Sequence, residues 1–476
     1  MNRRTFLKAI PGCTMLPVLG VSEEHDHPYR PMVASHLRAI IDGGTDDLGP
    51  VRTGMWLASI DTRTHAHVRD NKPGRVYRLI GAPNGSTLYW DQPLIVTAFE
   101  LSRLTGDQQY ALAAETYLEA FLERCVDEDG MFLWGNHIYY DVVEDRIVRF
   151  SGGYHELRPI TPAWDLFWKY APQACERYIR TMCDRHLFDR ETGGFNRHDN
   201  GKREHAFLES GGILVESLAW LYARTEDREL RDLAMRIAQY SFSHRGAETG
   251  LIVNEPDKGR WDAKVSTTEV GVWAQSLLRA ARYAREEAFI DMAAAGIQAY
   301  LEYGYDAEAK QYYGQLDVAT GKPVVPAHKG YWPGKYSDIF NSNQWPTHDY
   351  PMAFADACLT LHELTGTAAF EVGARRWAQI AENSIPAPVD RVVYAEQYGR
   401  CIRFLSRASR QLQEAQLLQA ARRLADEAMD RLYENGMLQG YPGSHLYESV
   451  DGVGFLCLAL LSLETPRELH SYGLNV

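Results

Sequence analysis

A chain of 476 residues with 45% hydrophobic content can bury a large core, as one big domain or two smaller ones. The formal net charge of -13 excludes a nucleic-acid role, because nothing supplies a basic patch. An anionic polysaccharide stays open as a partner, since local arginine clusters can outweigh a negative total.

The chain opens with Arg3-Arg4-Thr5-Phe6-Leu7-Lys8 and a weakly apolar stretch over residues 9–21. This resembles a twin-arginine export signal, with Asn2 where Ser or Thr is usual. The resemblance implies a signal segment over residues 1–25, a periplasmic or secreted enzyme, and one catalytic domain over residues 26–476. No other run is long and apolar enough to span a membrane. The seven cysteines are scattered without disulfide or metal spacing and read as small core filler.

From residue 101 a helical hairpin recurs. Residues 101–107 lead into 110–118, 221–227 into 230–238, 279–286 into 289–297, and 361–367 into 370–378. In each, apolar residues recur at spacings of three and four on both sides of a tight turn. Gly106 and Gly366 suit the left-handed residue that ends the first helix. Acid–Gly turns then follow, at 127–133, 189–195, 248–252 and 434–438, and predict short strands or hairpins. The period of roughly 60 residues marks a closed or stacked array of helical pairs. Pairs are expected near 89–125, 161–187, 207–243, 269–303, 349–383 and 394–433. A last helix near 452–463 can pair with one near 32–42, which makes six or seven hairpins. This all-α arrangement, with short β-hairpins in its loops, resembles the (α/α) toroid of six-hairpin glycosidases and of several polysaccharide lyase families. Such a toroid hosts hydrolases, lyases and epimerases, so chemistry must be read from the site.

The connections rich in polar and aromatic residues are long, which marks them as functional. Asn136-His137-Ile138-Tyr139-Tyr140 packs an amide, an imidazole and two phenols together. Those groups suit removal of a proton beside a sugar carboxylate: a donor neutralises the carboxylate, an imidazole or phenolate takes the C5 proton, and a phenol protonates the departing O4. The segment is similar to the Asn-His-x-Tyr motif of toroidal alginate lyases. That resemblance implies Asn136 as neutraliser and His137 as base, with Tyr139 or Tyr140 lining the site. His155 and Arg158 follow a Gly-Gly turn and suit an anionic ligand, with Arg158 forking onto a carboxylate. Arg197 and His198 offer the same donor set again, and Arg245 ends a helix where a cation is also an ordinary dipole partner. Trp332, Tyr336 and Trp345 present flat faces for sugar rings, as does Trp90 at the start of a helix. His348 and Tyr350 form a second candidate catalytic pair.

A glycoside hydrolase needs two carboxylates flanking the bond. Asp91, Glu156, Glu209, Glu269, Asp349 and Glu448 are candidates, but none forms a distinctive motif, and Glu209 and Glu269 start helices, where acids are favoured anyway. The expected function is therefore a secreted lyase cleaving a uronic-acid polymer of the alginate or glucuronan type. No metal-ligand spacing stands out, so no cofactor and a metal-independent elimination are expected. The alternatives are a six-hairpin hydrolase of uronyl oligosaccharides and a non-catalytic, carbohydrate-binding helical-repeat protein.

Overall fold

The computed structural model describes residues 28–68, 84–135, 138–149, 153–256, 263–325, 334–340, 351–465 and 469–474. The signal-like segment, Asn136, His137, Trp332, Trp345, His348 and Tyr350 lie outside these residues. Fourteen helices occur among them: α1 Tyr29–Gly43, α2 Leu88–Thr105, α3 Gln109–Arg124, α4 Trp164–Tyr170, α5 Pro172–His186, α6 Leu208–Thr225, α7 Arg228–Ser243, α8 Thr267–Ala284, α9 Glu287–Tyr303, α10 Met352–Thr365, α11 Ala368–Asn383, α12 Ala395–Leu412, α13 Ala415–Leu432 and α14 Val453–Leu463.

The even-numbered helices form an inner ring. Helix α6 packs on α8, α8 on α10, α10 on α12, α12 on α14, and α14 back on α2. The gap between α2 and α6 is filled by α4, whose Trp164 ring lies 5.8 Å from that of Trp220 on α6. Just before α4, the Ala163 N–H donates to Gln92 Oε1 of α2 at 3.0 Å. The odd-numbered helices lie outside, each against its hairpin partner. The seventh pair joins the two ends of the chain, α1 on α14. Among the described residues the ring therefore has seven helical pairs, six of them hairpins, and the pairs stand where the apolar spacing predicts them.

Composition follows position. Helix α7 buries one stripe, Leu230, Leu233, Ala234, Ile237, Ala238 and Ser241, at alternating spacings of three and one. Helix α14 is apolar on every face and buried along its length. The expected pair near 161–187 begins later and shorter than its neighbours. Pro159 and Pro162 keep the approach extended, so α4 has only 7 residues. All six cysteines among the described residues are free and buried.

The two ends of the ring differ. At one end the hairpins turn in a few residues, and the residue after α2, α6, α8, α10 and α12 is left-handed in each case: Gly106, Glu226, Arg285, Gly366 and Gln413. At the other end the connections are long and carry the short strands. Leu187–Asp189 pairs with Gly194–Phe195 and Tyr433–Glu434 with Met437–Leu438, where the acid–Gly turns predict them. Ser59–Asp61 pairs with Leu446–Glu448, tying the start of the chain to its end.

Three glycines let inner helices meet backbone to backbone. A Cβ on Gly271 of α8 would stand 2.4 Å from the Phe354 nitrogen of α10, and one on Gly399 of α12 would stand 2.6 Å from the Leu456 nitrogen of α14. At the closure of the ring, a Cβ on Gly454 of α14 would stand 2.5 Å from the Leu94 nitrogen of α2. Gly454→Ala gains about 1 kcal/mol of helix propensity but forces α14 from α2, at a cost of about 1–3 kcal/mol. The expected net outcome is a lower urea midpoint with an unchanged dependence on denaturant, read by circular dichroism.

Candidate active site at the mouth of the inner ring

Because the inner helices run the same way, their N-termini gather at the end with the long connections, apart from that of the short α4, which begins deeper in the ring beside the last turn of α6. Three segments from two of those connections are stitched together there. Trp134 bridges to His155 in parallel, and Glu156 bridges to His198 in antiparallel. The Glu156 N–H donates to the Trp134 carbonyl and the Leu157 N–H to the Arg197 carbonyl, both at 2.8 Å. Gly135 is required here: its φ is 123°, and a Cβ would lie 2.7 Å from Glu156 Cβ.

This pairing gathers four charged or titratable side chains. Glu156 Oε1 lies 3.3 Å from Arg197 Nη2, 3.7 Å from His198 Nε2 and 4.0 Å from Arg158 Nη1. Burial alone would raise the Glu156 carboxyl, but Arg158, His198 and Arg197 together hold it well below the usual carboxylate range. Arg197 Nε also donates to His198 Nε2 at 3.3 Å, and its guanidinium lies over the Phe207 ring. Arg197 and His198 each keep 20% of the side chain exposed, against 3% for Arg158. The first two face solvent, and Arg158 braces the carboxylate from behind.

Beneath the cluster runs a buried relay. His186 Nδ1 lies 2.7 Å from the Asn196 carbonyl, His155 Nδ1 lies 2.8 Å from His186 Nε2, and Tyr178 Oη lies 2.5 Å from His155 Nε2. A carbonyl only accepts, so His186 carries its proton on Nδ1 and accepts at Nε2. His155 then donates from Nδ1, and Tyr178 donates to its Nε2. Both rings are neutral, and burial lowers both pKa values, that of His186 to about 3. His155 is thus not a ligand contact: both its nitrogens are taken, and it ties the strand of Glu156 to that of Asn196.

Buried acids stand in the first turns of the inner helices. The Glu209 N–H of α6 donates to Glu269 Oε2 of α8 at 3.3 Å. Burial pushes the Glu209 carboxyl up to about 7 against the pull of Arg158 and Arg197. Burial and the neighbouring Glu209 carry Glu269 well above its ordinary range. The pair keeps a proton near neutrality. Tyr89 of α2 is fully buried and its hydroxyl has no hydrogen-bond partner among the described residues. Burial raises its pKa, and the charges that act on it are those of Arg158, Glu209, Glu156 and Glu396. Glu396 and Arg400 of α12 form a buried pair at 2.7 Å.

Arg158, Arg197 and His198 are therefore brought together, with His155 below them. Trp90 is buried against Tyr89, with its indole nitrogen unpartnered among the described residues. The other three described candidates lie apart. Tyr140 sits in the strand Tyr139–Asp141, with its hydroxyl 3.4 Å from Asp145. Arg245 donates to the Phe242 carbonyl and lies over the Phe242 ring, capping its own helix. Tyr336 donates to Asp306 at 2.7 Å and stacks on Tyr313. Among the described residues no group of three or more His, Cys, Asp or Glu is arranged to hold a metal; Glu156 and His198 supply two donors of that kind side by side.

A family model described as periplasmic pectate lyase matches residues 58–210. That stretch contains Tyr89, Glu156, Arg158, Arg197, His198 and Glu209, and supports a carbohydrate-degrading enzyme. Among solved structures, the chain is similar to the GH76A α-1,6-mannanase from Salegentibacter sp. HEL1_6, at 10% identity over 91% of this chain and 99% of that one, with a TM-score of 0.45. It is also similar to the unsaturated glucuronyl hydrolase of Bacillus sp. GL1, at 15% identity over 79% and 86%, with a TM-score of 0.43. The GH76 α-mannanase BT2949 of Bacteroides thetaiotaomicron is 11% identical over 77% and 98%, with a TM-score of 0.49. No helix among the described residues is long and apolar enough to cross a membrane.

Asp91 in the first turn of α2 gives a measurable consequence of burial. It accepts from Tyr117 Oη at 2.7 Å, and burial still pushes its carboxyl up to about 7 from 3.8. A raised carboxyl stabilises the fold below the unfolded pKa, and that contribution is lost as pH rises toward 7. Asp91→Asn does not titrate, so its stability relative to the parent should climb by about 2–3 kcal/mol between pH 5 and pH 8. Urea denaturation of both proteins at the two pH values measures the difference.

Proposed function

We propose that the protein is an exported lyase that cleaves a galacturonate-type polyuronate by β-elimination. The observation that carries this reading is the cluster of Arg197, Arg158 and His198 around one ionised, buried Glu156, inside the residues that match the pectate lyase model. Arg197 meets the substrate carboxylate at the exposed face, with Arg158 behind, so the charge developing on that carboxylate at C5 abstraction is compensated. His198 Nε2, freed as the Arg197 guanidinium turns from it to the substrate carboxylate, takes the C5 proton, and Glu156 beside it stabilises the imidazolium that forms. The departing O4 takes its proton from Glu209, whose carboxyl burial pushes up to about 7. The match supports galacturonate in place of the alginate or glucuronan expected from the Asn136–Tyr140 segment. The arginine pair at residues 3 and 4 and the periplasmic description of the matching family support export.

A second reading, hydrolysis, is favoured by Glu209 and Glu269, two neighbouring buried acids raised above the usual carboxylate range, which together resemble an acid and a carboxylate partner. The products separate the two. Purified protein is mixed with polygalacturonate, alginate, glucuronan and neutral mannan, and ultraviolet absorbance of unsaturated uronate is followed beside reducing ends. Elimination predicts both signals rising together on polygalacturonate; reducing ends alone would mean hydrolysis. Arg197→Ala and His198→Ala should each lower kcat/KM by about 100-fold or more. With Glu209 as the acid, kcat/KM declines as pH rises through about 7, and Glu209→Gln removes that limb. Repeating the assay with a chelator, then with added Mn²⁺ or Ca²⁺, tests whether Glu156 and His198 act through a bound cation; unchanged rates are expected if the arginines neutralise the carboxylate directly.

A further inference from the structure

The opposite end of the ring holds a second site. A cavity of about 610 Å³ opens between the C-terminal halves of α8, α12 and α14, beside the C-terminal residues 469–474. That size falls within the range of small-molecule sites. Its wall carries five guanidiniums, Arg279 and Arg282 from α8 and Arg403, Arg407 and Arg410 from α12, against one carboxylate, Asp165. That carboxylate is already paired with Arg224. Two of the arginines are also matched: Arg279 is held by Glu216 at 2.6 Å and Arg407 by Asp356 at 3.0 Å. Arg282 and Arg410 have no carboxylate partner among the described residues.

Helix C-termini favour cations, which accounts for Arg282 and Arg410 in the last turns. It does not account for Arg403 and Arg407, which stand further back along α12 and line the same space. By contrast, the cavity of about 560 Å³ at the mouth end sets Arg149 and Arg185 against Asp127, Glu128 and Asp199, and has no excess of positive charge. The rest of the basic cavity's wall includes hydroxyls, from Ser406, Ser462, Thr465 and Ser471, and the rings of Tyr283, Tyr472 and His470, beside apolar Leu458 and Leu469. Guanidinium forks, hydroxyls and flat phenol faces together suit a carboxylated sugar.

We propose that this cavity binds a short oligouronate, separately from the mouth of the ring. The choice of a uronate rests on the proposed function; the anion site itself rests on the cavity alone. The test is isothermal titration of Arg197→Ala, which disables the mouth, with digalacturonate, inorganic phosphate and neutral galactobiose as separate probes. The expected result is saturable binding of digalacturonate, one per chain, weakened tenfold or more when Arg282→Ala and Arg410→Ala are added, with no binding of galactobiose. Both residues are exposed, so these changes should leave the fold and the cleavage rate at the mouth intact. Absence of binding, or binding indifferent to the two substitutions, would overturn the site, and phosphate binding as tightly as digalacturonate would overturn the uronate assignment. Binding here without cleavage of any polyuronate by the unmodified protein would count against the lyase reading alone, and cleavage without binding here against this inference alone.

Discussion

Inner helices that all point the same way impose one constraint on everything else: apart from the short α4, which starts deeper in the ring beside the last turn of α6, their unsatisfied N–H groups and positive dipole ends meet at a single mouth. Acids in the first turns answer that field, and because the ring closes over them they are buried. Asp91 and Glu209 are both pushed up to about 7 by burial. The same geometry that builds a stable toroid therefore concentrates carboxyls that hold protons near neutrality at the place where the long connections gather.

Glu156 is the exception that organises the mouth. It is equally buried, yet Arg158, Arg197 and His198 keep it ionised. It comes from a connection rather than a helix, and the bridge to His198 brings it there. Beneath it, the neutral relay from Tyr178 through His155 and His186 to the Asn196 carbonyl fixes the two strands without adding charge. A site built this way separates two kinds of acid: one permanently negative carboxylate that holds cations, and a pair that still carries a proton.

The hairpins were legible in the sequence because their signal is local: a period of apolar residues, a tight turn, an acid–Gly turn. Gly106 and Gly366 announce their turns, whereas Glu226, Arg285 and Gln413 adopt the same left-handed conformation without any such mark. A seventh helical pair depends on α1 meeting α14, and the close approach at Gly271, Gly399 and Gly454 depends on which helices become neighbours; neither is written in any one segment. In the site, Arg158, Arg197 and His198 were recognisable as donors, but their assembly is a pairing of connections some 40 residues apart. His155 reads as a ligand until His186 and Tyr178 are found to occupy both its nitrogens. Glu209 and Glu269 read as ordinary helix-start acids, since only burial separates a dipole partner from a proton donor.

The central claim, that the mouth eliminates rather than hydrolyses, is tested most directly by digesting polygalacturonate in oxygen-labelled water and weighing the first products by mass spectrometry before anomeric exchange. Elimination breaks the C4–O4 bond, so the new reducing end keeps the glycosidic oxygen and the new non-reducing end is lighter by one water. Elimination gives unlabelled reducing ends and dehydrated partners. Labelled oxygen at the new reducing end, on saturated products, would contradict it.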